Sequence, residues 1–289
     1  MILSIGEILA DVIVDNGKSQ QFCGGAPFNL IVNAKKSGAV AGFIGRVGDD
    51  ETGKFLLLET AKYNLNSLDI QVDKERKTTL ALVTLTDGER DFKFVRNNTA
   101  DYNIDINEID FSKYKDLSII HLGSLMLSEK SGLEFANAIV KKSKELNVKL
   151  SFDVNFRSDI FKDELSAKLT YKPFIKSADI VKFSDDELYL FTGETDVIKG
   201  CEKIASKGQL IIVTLGKRGS LYYIDNKSEI VPTIPVTPVD TTGAGDAFYG
   251  TFLAYIENKE YTSENLTSAM KIANQKGAET TLFKGAIKL

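Results

Sequence analysis

Short apolar runs alternate with longer amphipathic stretches along most of this chain. Ile2 to Gly6 reads as a strand, Phe28 to Ser37 as a helix, Ala41 to Val47 as a strand and Glu51 to Tyr63 as a helix. The rhythm resumes with a strand over Leu117 to Leu122, a helix over Glu129 to Leu146 and a strand over Lys149 to Val154. A helix over Leu165 to Lys176, a strand over Asp179 to Phe183 and a short helix over Asp185 to Phe191 follow. A helix over Val197 to Ser206 leads into the strand Leu210 to Leu215, and an apolar helix covers Ala247 to Ile256. Alternation of this kind predicts βαβ units, a mainly parallel sheet and helices on both faces: a doubly wound α/β fold.

Two segments break the rhythm. Thr79 to Thr86 and Asp91 to Arg96 are β-rich and meet around Asp87-Gly88, a hairpin signal. With Asp11 to Phe22 they predict a small sheet outside the main one. Such a sheet suits either a plain surface hairpin or a lid over a cleft, where phosphates must be kept from water.

Composition narrows the class. The 289 residues are 43% hydrophobic and 26% charged, with no repeat, low-complexity stretch or linker. That fits one domain spanning 1–289, with lid segments near 11–22 and 79–99. The net charge of -4 argues against a nucleic-acid binder. No apolar run approaches a membrane span, and the Glu7-containing N-terminus lacks the basic start of a signal peptide. Two cysteines, Cys23 and Cys201, fit a reduced cytoplasmic protein. His121 is the only histidine, which excludes multi-histidine metal sites; at an apolar strand end it reads as a packed side chain near a cleft.

Two glycine-containing segments invite a phosphate. Gly48-Asp49-Asp50-Glu51-Thr52-Gly53-Lys54-Phe55 mimics a P-loop, but Phe55 replaces the required Ser/Thr and the carboxylates repel phosphate. It reads as an acidic helix start. Asp240-Thr241-Thr242-Gly243-Ala244-Gly245-Asp246-Ala247-Phe248 is different. Small residues ahead of an apolar helix leave backbone N–H groups unobstructed at its positive end, forming an anion site. A carboxylate there repels phosphate unless it accepts a proton from an attacking hydroxyl, although Asp246 also suits a helix cap. Spacing alone leaves those two readings level.

The same segment resembles the C-terminal signature of the ribokinase-like (PfkB) carbohydrate kinases. The N-terminal signature is matched by Gly24-Gly25-Ala26-Pro27-Phe28-Asn29 and by Gly42-Phe43-Ile44-Gly45-Arg46-Val47-Gly48-Asp49-Asp50 with Gly53. The order of elements between them extends the resemblance over essentially the whole chain. It implies a doubly wound domain with a β lid and a sugar bound between them. Asp246 would be the catalytic base, and Gly243, Ala244 and Gly245 the anion hole. Asp11, at the end of the first strand, would bind sugar hydroxyls, beside a loop of Gly24, Gly25 and Asn29. Thr214, Gly216 and Gly219 would form the ATP-side turn, with Asn274 and Gly277 on the adenine side. Mg²⁺ would bridge the phosphates, with Glu187 acting on it indirectly; Ser184 stands where the family's Asn-x-x-Glu pattern has Asn. Family members also bind K⁺ near the loop holding Asp240 and Thr242, so K⁺ is an open second cation.

Within the family, Phe152-Asp153-Val154-Asn155-Phe156-Arg157 resembles a segment of fructokinases and 2-keto-3-deoxygluconate kinases. Arg96 resembles a lid arginine of the same groups; by that resemblance Arg96 and Arg157 would place positive charge near the sugar or the phosphates, and each arginine also suits a plain surface ion pair. The expectation is an ATP-dependent kinase making fructose 6-phosphate, with an acid-sugar or nucleoside kinase as the alternative. A sugar sensor on the same fold is the competing class, disfavoured by Asp246 and its intact loop. An oxidoreductase is excluded, because no G-x-G-x-x-G follows the first strand. Edge strands in the lid predict a homodimer.

Overall fold

The computed structural model describes residues 1–289 other than 16, 17, 87, 88, 162 and 289. Among them the main sheet contains β1 (Ile2–Ile5), β4 (Ala41–Gly48), β5 (Ser67–Asp73), β8 (Ile119–Leu122), β9 (Lys149–Asp153), β10 (Ile180–Ser184), β11 (Leu210–Thr214), β12 (Ser220–Ile224) and β13 (Lys227–Val231). A smaller sheet contains β2 (Leu9–Asp15), β3 (Lys18–Gly24), β6 (Leu80–Thr86) and β7 (Glu89–Val95). The helices are α1 (Ala26–Lys36), α2 (Glu51–Ala61), α3 (Lys130–Glu145), α4 (Glu164–Ser177), α5 (Asp185–Thr192), α6 (Val197–Ile204), α7 (Ala244–Ile256) and α8 (Ser263–Thr280).

The main sheet runs β13-β12-β11-β10-β9-β8-β1-β4-β5. From β11 to β5 every pairing is parallel; β12 and β13 add antiparallel edges. Alternate residues feed two cores. Leu3, Ile5, Ile211 and Val213 pack with Phe135, Ile139, Tyr171 and Phe174 of α3 and α4. Ile2, Leu210 and Ile212 pack with residues of α1, α7 and α8, including Phe28, Phe252 and Met270. A strand covered on both faces is mostly apolar on both, which is why these strands read as mainly hydrophobic runs. The doubly wound expectation holds.

The smaller sheet runs β3-β2-β6-β7. Leu9, Ala81 and Leu125, with Phe94 and Ile160 against them, tie it to the main body. The Asp11 to Phe22 segment, expected to join that sheet, forms an antiparallel pair within it, with Asp11 opposite Phe22. Asp11 therefore belongs to β2 in the small sheet and does not end the first strand. The chain leaves β1 at Gly6 and enters the small sheet at Leu9, three residues later. The expected Asp87-Gly88 turn lies outside the described residues; the strands on either side pair antiparallel.

Three strands escaped the hydrophobic pattern. β5 is a half-buried edge, so its alternation is diluted. β12 and β13 turn through Asp225 (φ 45°) and Asn226 (φ 64°), a two-residue hairpin loop in the left-handed region made without glycine. The P-loop mimic is a helix start, as its acidity implies. Asp50 caps α2, accepting from Gly53 N at 2.8 Å and from the N–H and hydroxyl of Thr78 at 2.9 and 2.8 Å.

Candidate active site

The carboxyl ends of the central parallel strands face the first turn of α7. Gly243 caps that helix with φ 75°, and a Cβ there would lie 2.5 Å from the Ala286 Cβ. Only glycine supplies this backbone without strain. The Ala244 N–H turns back to Thr241 O at 3.2 Å, whereas the Gly245 N–H makes no backbone bond among the described residues. A Cβ on Gly245 would meet nothing nearer than the Lys182 ammonium, at 3.6 Å. Bare backbone at a helix N-terminus above a buried cation is an anion-binding arrangement.

Asp246 follows in the same turn. Its Oδ2 accepts from Asn29 Nδ2 at 2.9 Å, joining the start of α1 to the start of α7. Burial pushes the Asp246 carboxyl above the usual range; Asn29, Lys182 and Arg157 pull it back. Asn29 Oδ1 is buried with no protein partner, an acceptor left for a ligand hydroxyl. Glu7 Oε2 and Ser124 Oγ, at the ends of β1 and β8, are also buried and unpaired. Glu7 was noted in the sequence only as a charge. Its burial, opposed by its own backbone hydrogen bond and Arg96, lifts it to about 7.

Asp11 comes to the same place from the small sheet. Burial first, and then repulsion from Asp246, raise it to about 7 against the pull of Arg157. Gly24 and Gly25 give it room. A Cβ on Gly24 would fall 2.3 Å from Asp11 Oδ2, and Gly25 (φ 111°) packs against the Glu7 carbonyl, 2.5 Å from where its Cβ would be. Arg157 is exposed and its charge reaches both Asp11 and Asp246. Six predicted residues from four segments of the chain, Asp11, then Gly24, Gly25 and Asn29, then Arg157, then Asp246, thus converge.

Beneath α7 the sheet carries polar residues that sequence reasoning missed. Lys182 Nζ donates to both oxygens of Asp153 at 2.9 Å, and both residues are buried. Burying a Leu or Phe contributes roughly 2 kcal/mol, but an unpaired buried charge costs several, so each requires the other. Burial lifts Asp153 to about 6 while Lys182 pulls it down, and the paired carboxylate is ionised at neutral pH. Burial opposes the Lys182 charge, yet Asp153, Glu187 and Asp246 outweigh it and raise the ammonium's pKa. The signal was available: a lysine in Ile180–Ser184 and an aspartate in Lys149–Asp153 are out of place in buried strands. Next to them Ser151 donates to Tyr249 at 2.8 Å and Tyr249 to Ile180 O at 3.3 Å. That leaves Ser151 Oγ to accept from His121 Nδ1, 3.0 Å away. Burial, reinforced by Lys182, lowers His121 to about 3, so it is a neutral packed histidine, as its strand-end position suggested.

Glu187 latches two strand ends. Its Oε1 accepts from Phe156 N at 2.8 Å and its Oε2 from Ser184 N at 2.7 Å, while the Ser184 hydroxyl caps Glu187 N. Among the described residues no group of three or more acidic, histidine or cysteine side chains forms a metal cage.

The other end of the site is the turn after β11. Gly216 has φ 56°, and Gly219 (φ 101°) lies where a Cβ would strike Val231 O at 2.1 Å. Thr214 and Ser184 end neighbouring strands in register. Asn274 is buried rather than an exposed helix residue. It accepts from Ser220 Oγ and donates to Val231 O, both at 2.8 Å, tying α8 to β12 and β13. A Cβ on Gly277 would be 3.2 Å from Ala244 O, so Gly277 lets α8 approach the phosphate loop. Arg96 is committed at the base of the small sheet: Nε to Asp101 at 2.8 Å, Nη1 to Ser128 at 2.7 Å, and its guanidinium 4.7 Å from the Tyr102 ring centre. Only its Nη2 is buried and unpaired.

A doubly wound sheet, a carboxylate in the first turn of a helix behind a bare glycine loop, and a second sheet carrying a carboxylate to the same point define a phosphotransferase acting on hydroxyl groups. The chain belongs to the pfkB family of carbohydrate kinases, which it matches over residues 1–289. It is 34% identical over 301 aligned positions to fructokinase-2 of Zea mays, covering 99% of this chain and 90% of that protein. The structure of Vibrio cholerae fructokinase with fructose, ADP and calcium superposes with a TM-score of 0.89 at 30% identity, covering 99% of this chain and 94% of that one. Xylella fastidiosa fructokinase with ATP gives a TM-score of 0.89 at 27% identity, covering 99% and 93%.

Proposed function

We propose that this carbohydrate kinase is an ATP-dependent fructokinase forming fructose 6-phosphate. The observation that carries the reading is the Asn29–Asp246 hydrogen bond of 2.9 Å, which supports a base on α7 working beside a sugar-binding residue on α1. The unpaired Asn29 Oδ1 and the Asp11 carboxyl supply further groups for sugar hydroxyls. An analogue lacking such a hydroxyl would leave them buried and unpaired, which is the basis of selectivity.

In the reaction the sugar hydroxyl oxygen bonds to the γ-phosphorus of ATP as the bond to the β–γ bridging oxygen breaks. The hydroxyl proton passes to Asp246 and ADP leaves. The backbone of Gly243, Ala244 and Gly245 meets the charge on the transferring group. Thr214, Gly216 and Gly219 receive the nucleotide. Asn274 and Gly277 shape that end from beneath. Mg²⁺ on the phosphates offsets their charge; Glu187 serves it by fixing the two turns it latches. K⁺ beside Asp240 and Thr242 belongs to the same proposal. Asp240 already draws that loop to the C-terminal segment, accepting from Gly285 N at 2.8 Å. The small sheet acts as the lid of a single kinase domain, its edge pairing two subunits in a cytoplasmic homodimer, and Arg96 braces its base.

The test is ADP release with Mg²⁺-ATP across fructose, 2-keto-3-deoxygluconate, ribose and nucleosides. Turnover on fructose alone supports the reading. Turnover confined to the acid sugar keeps the chemistry and moves Arg157 to carboxylate recognition. No turnover with any of them overturns the reading in favour of a sensor.

A further inference from the structure

We propose that Lys182 supplies a fixed positive charge to the transferring phosphoryl group from beneath the anion hole, with Asp153 as its positioning residue. The proposal rests on the kinase reading of this site.

Alternation along β10 assigns the side. Val181 and Phe183 point into the core under α3 and α4, while Ile180 points into the core under α7. Lys182 shares that second face and reaches the start of α7, where the nearest atoms to a Cβ built on Gly245 are its Nζ at 3.6 Å and its Cε at 3.8 Å. A longer residue at position 245 would cover the ammonium. Glycine leaves it facing the loop.

Donor accounting points the same way. An ammonium has three N–H groups. Two are used by Asp153, at 2.9 Å each. No third acceptor lies within hydrogen-bonding distance among the described residues. The Tyr249 ring centre, 6.0 Å away, flanks the ammonium without accepting from it. The charged and titratable groups around Lys182 are Asp153 on β9, Glu187 on α5, Asp246 and Tyr249 on α7 and His121 on β8. The carboxylates Asp11, Asp246 and Glu187 line a site that must accept a strongly anionic group. Lys182 is the buried cation there, and a charge held by a buried partner needs no reorganisation when the phosphoryl group arrives.

A purely structural pair behaves differently. Replacing both members of a buried ion pair by neutral groups is often harmless to folding. The test is therefore the double variant Lys182→Met/Asp153→Asn, compared with an active wild type. We expect kcat to fall on the order of 100-fold with KM for fructose unchanged. Affinity for ADP with aluminium fluoride, which mimics the transferring group, should fall much further than affinity for ADP. In Lys182→Met alone the acid limb of the kcat–pH profile should move to higher pH, because the charge favouring ionised Asp246 is gone. Wild-type kcat in the double variant overturns the proposal, whatever its thermal stability. Should that variant fail to fold, Lys182→Arg decides. Its planar fork displaces the charge, so kcat should fall about tenfold or more with melting temperature kept; unchanged kcat overturns the proposal. A wild type inactive on every sugar overturns the kinase reading itself, an outcome distinct from an active wild type matched by its variants.

Discussion

Gly24 and Asp11 face each other across the β2–β3 pair so closely that a methyl on Gly24 would sit 2.3 Å from the Asp11 carboxylate. The glycine is a space left for a side chain two strand positions away on its neighbour. Gly24→Ala therefore displaces Asp11, and the expected result is a raised KM for the sugar with a smaller change in KM for ATP. Initial rates with each substrate varied in turn check it; equal effects on both would point to general disruption.

Asp246→Asn keeps an acceptor for Asn29 and removes the proposed proton acceptor. Turnover should fall by about 10²–10⁴-fold, the span typical of general-base loss. Sugar binding, followed by calorimetry, should be largely kept. Near-normal turnover would rule out Asp246 as the base.

Stability should depend on pH in a defined direction. Glu7 and Asp11 have folded pKa values of about 7, well above those of free carboxyls. Between the two values the folded state holds more protons than the unfolded state, so stability falls as pH rises through this range. His121, lowered to about 3, acts oppositely: below its free value near 6.5 the unfolded state takes the proton and stability falls as pH drops. The ligand-free protein should therefore melt higher at pH 6.5 than at pH 8, and Asp11→Asn should flatten that slope. A slope unchanged in Asp11→Asn would show that the carboxyl is not desolvated.

Asn274 separates a structural from a contact role on the nucleotide side. Its side chain satisfies Ser220 Oγ and Val231 O inside the fold. Asn274→Ala should cost about 1–3 kcal/mol in stability, the penalty for leaving buried polar groups unpaired. KM for ATP should change less than in variants of the turn at Gly216. Denaturant unfolding and ATP kinetics on the same preparation check both.

Lys54 tests the P-loop mimic. It is exposed and pairs with Glu51 at 3.0 Å on the surface of α2. Lys54→Ala should leave KM for ATP and kcat unchanged, since exposed pairs contribute little. A large rise in KM for ATP would place the nucleotide there instead.

Features that a local stretch of chain determines were legible in the sequence. The loop ahead of α7 is one: Gly243, Gly245 and Asp246 act through their own backbone and neighbours, so the motif carries its chemistry with it. The mainly apolar strands and the acidic start of α2 are others, because burial on both faces and helix-end electrostatics leave marks in adjacent residues. Tertiary structure decided what depends on a partner from elsewhere. Asp11 was read as the end of the first strand, yet pairing with β3 and β6 carries it into the small sheet. Arg96 was read toward the sugar, and the nearby turn holding Asp101 claims most of its guanidinium. Asn274 was read as an adenine-side residue, and β12 and β13 engage its side chain inside the fold. Lys182 and Asp153 became a pair only when two parallel strands came into register, Lys182 opposite Asp153. A motif in sequence records the backbone it builds, but the partner of a buried charge is chosen by the sheet.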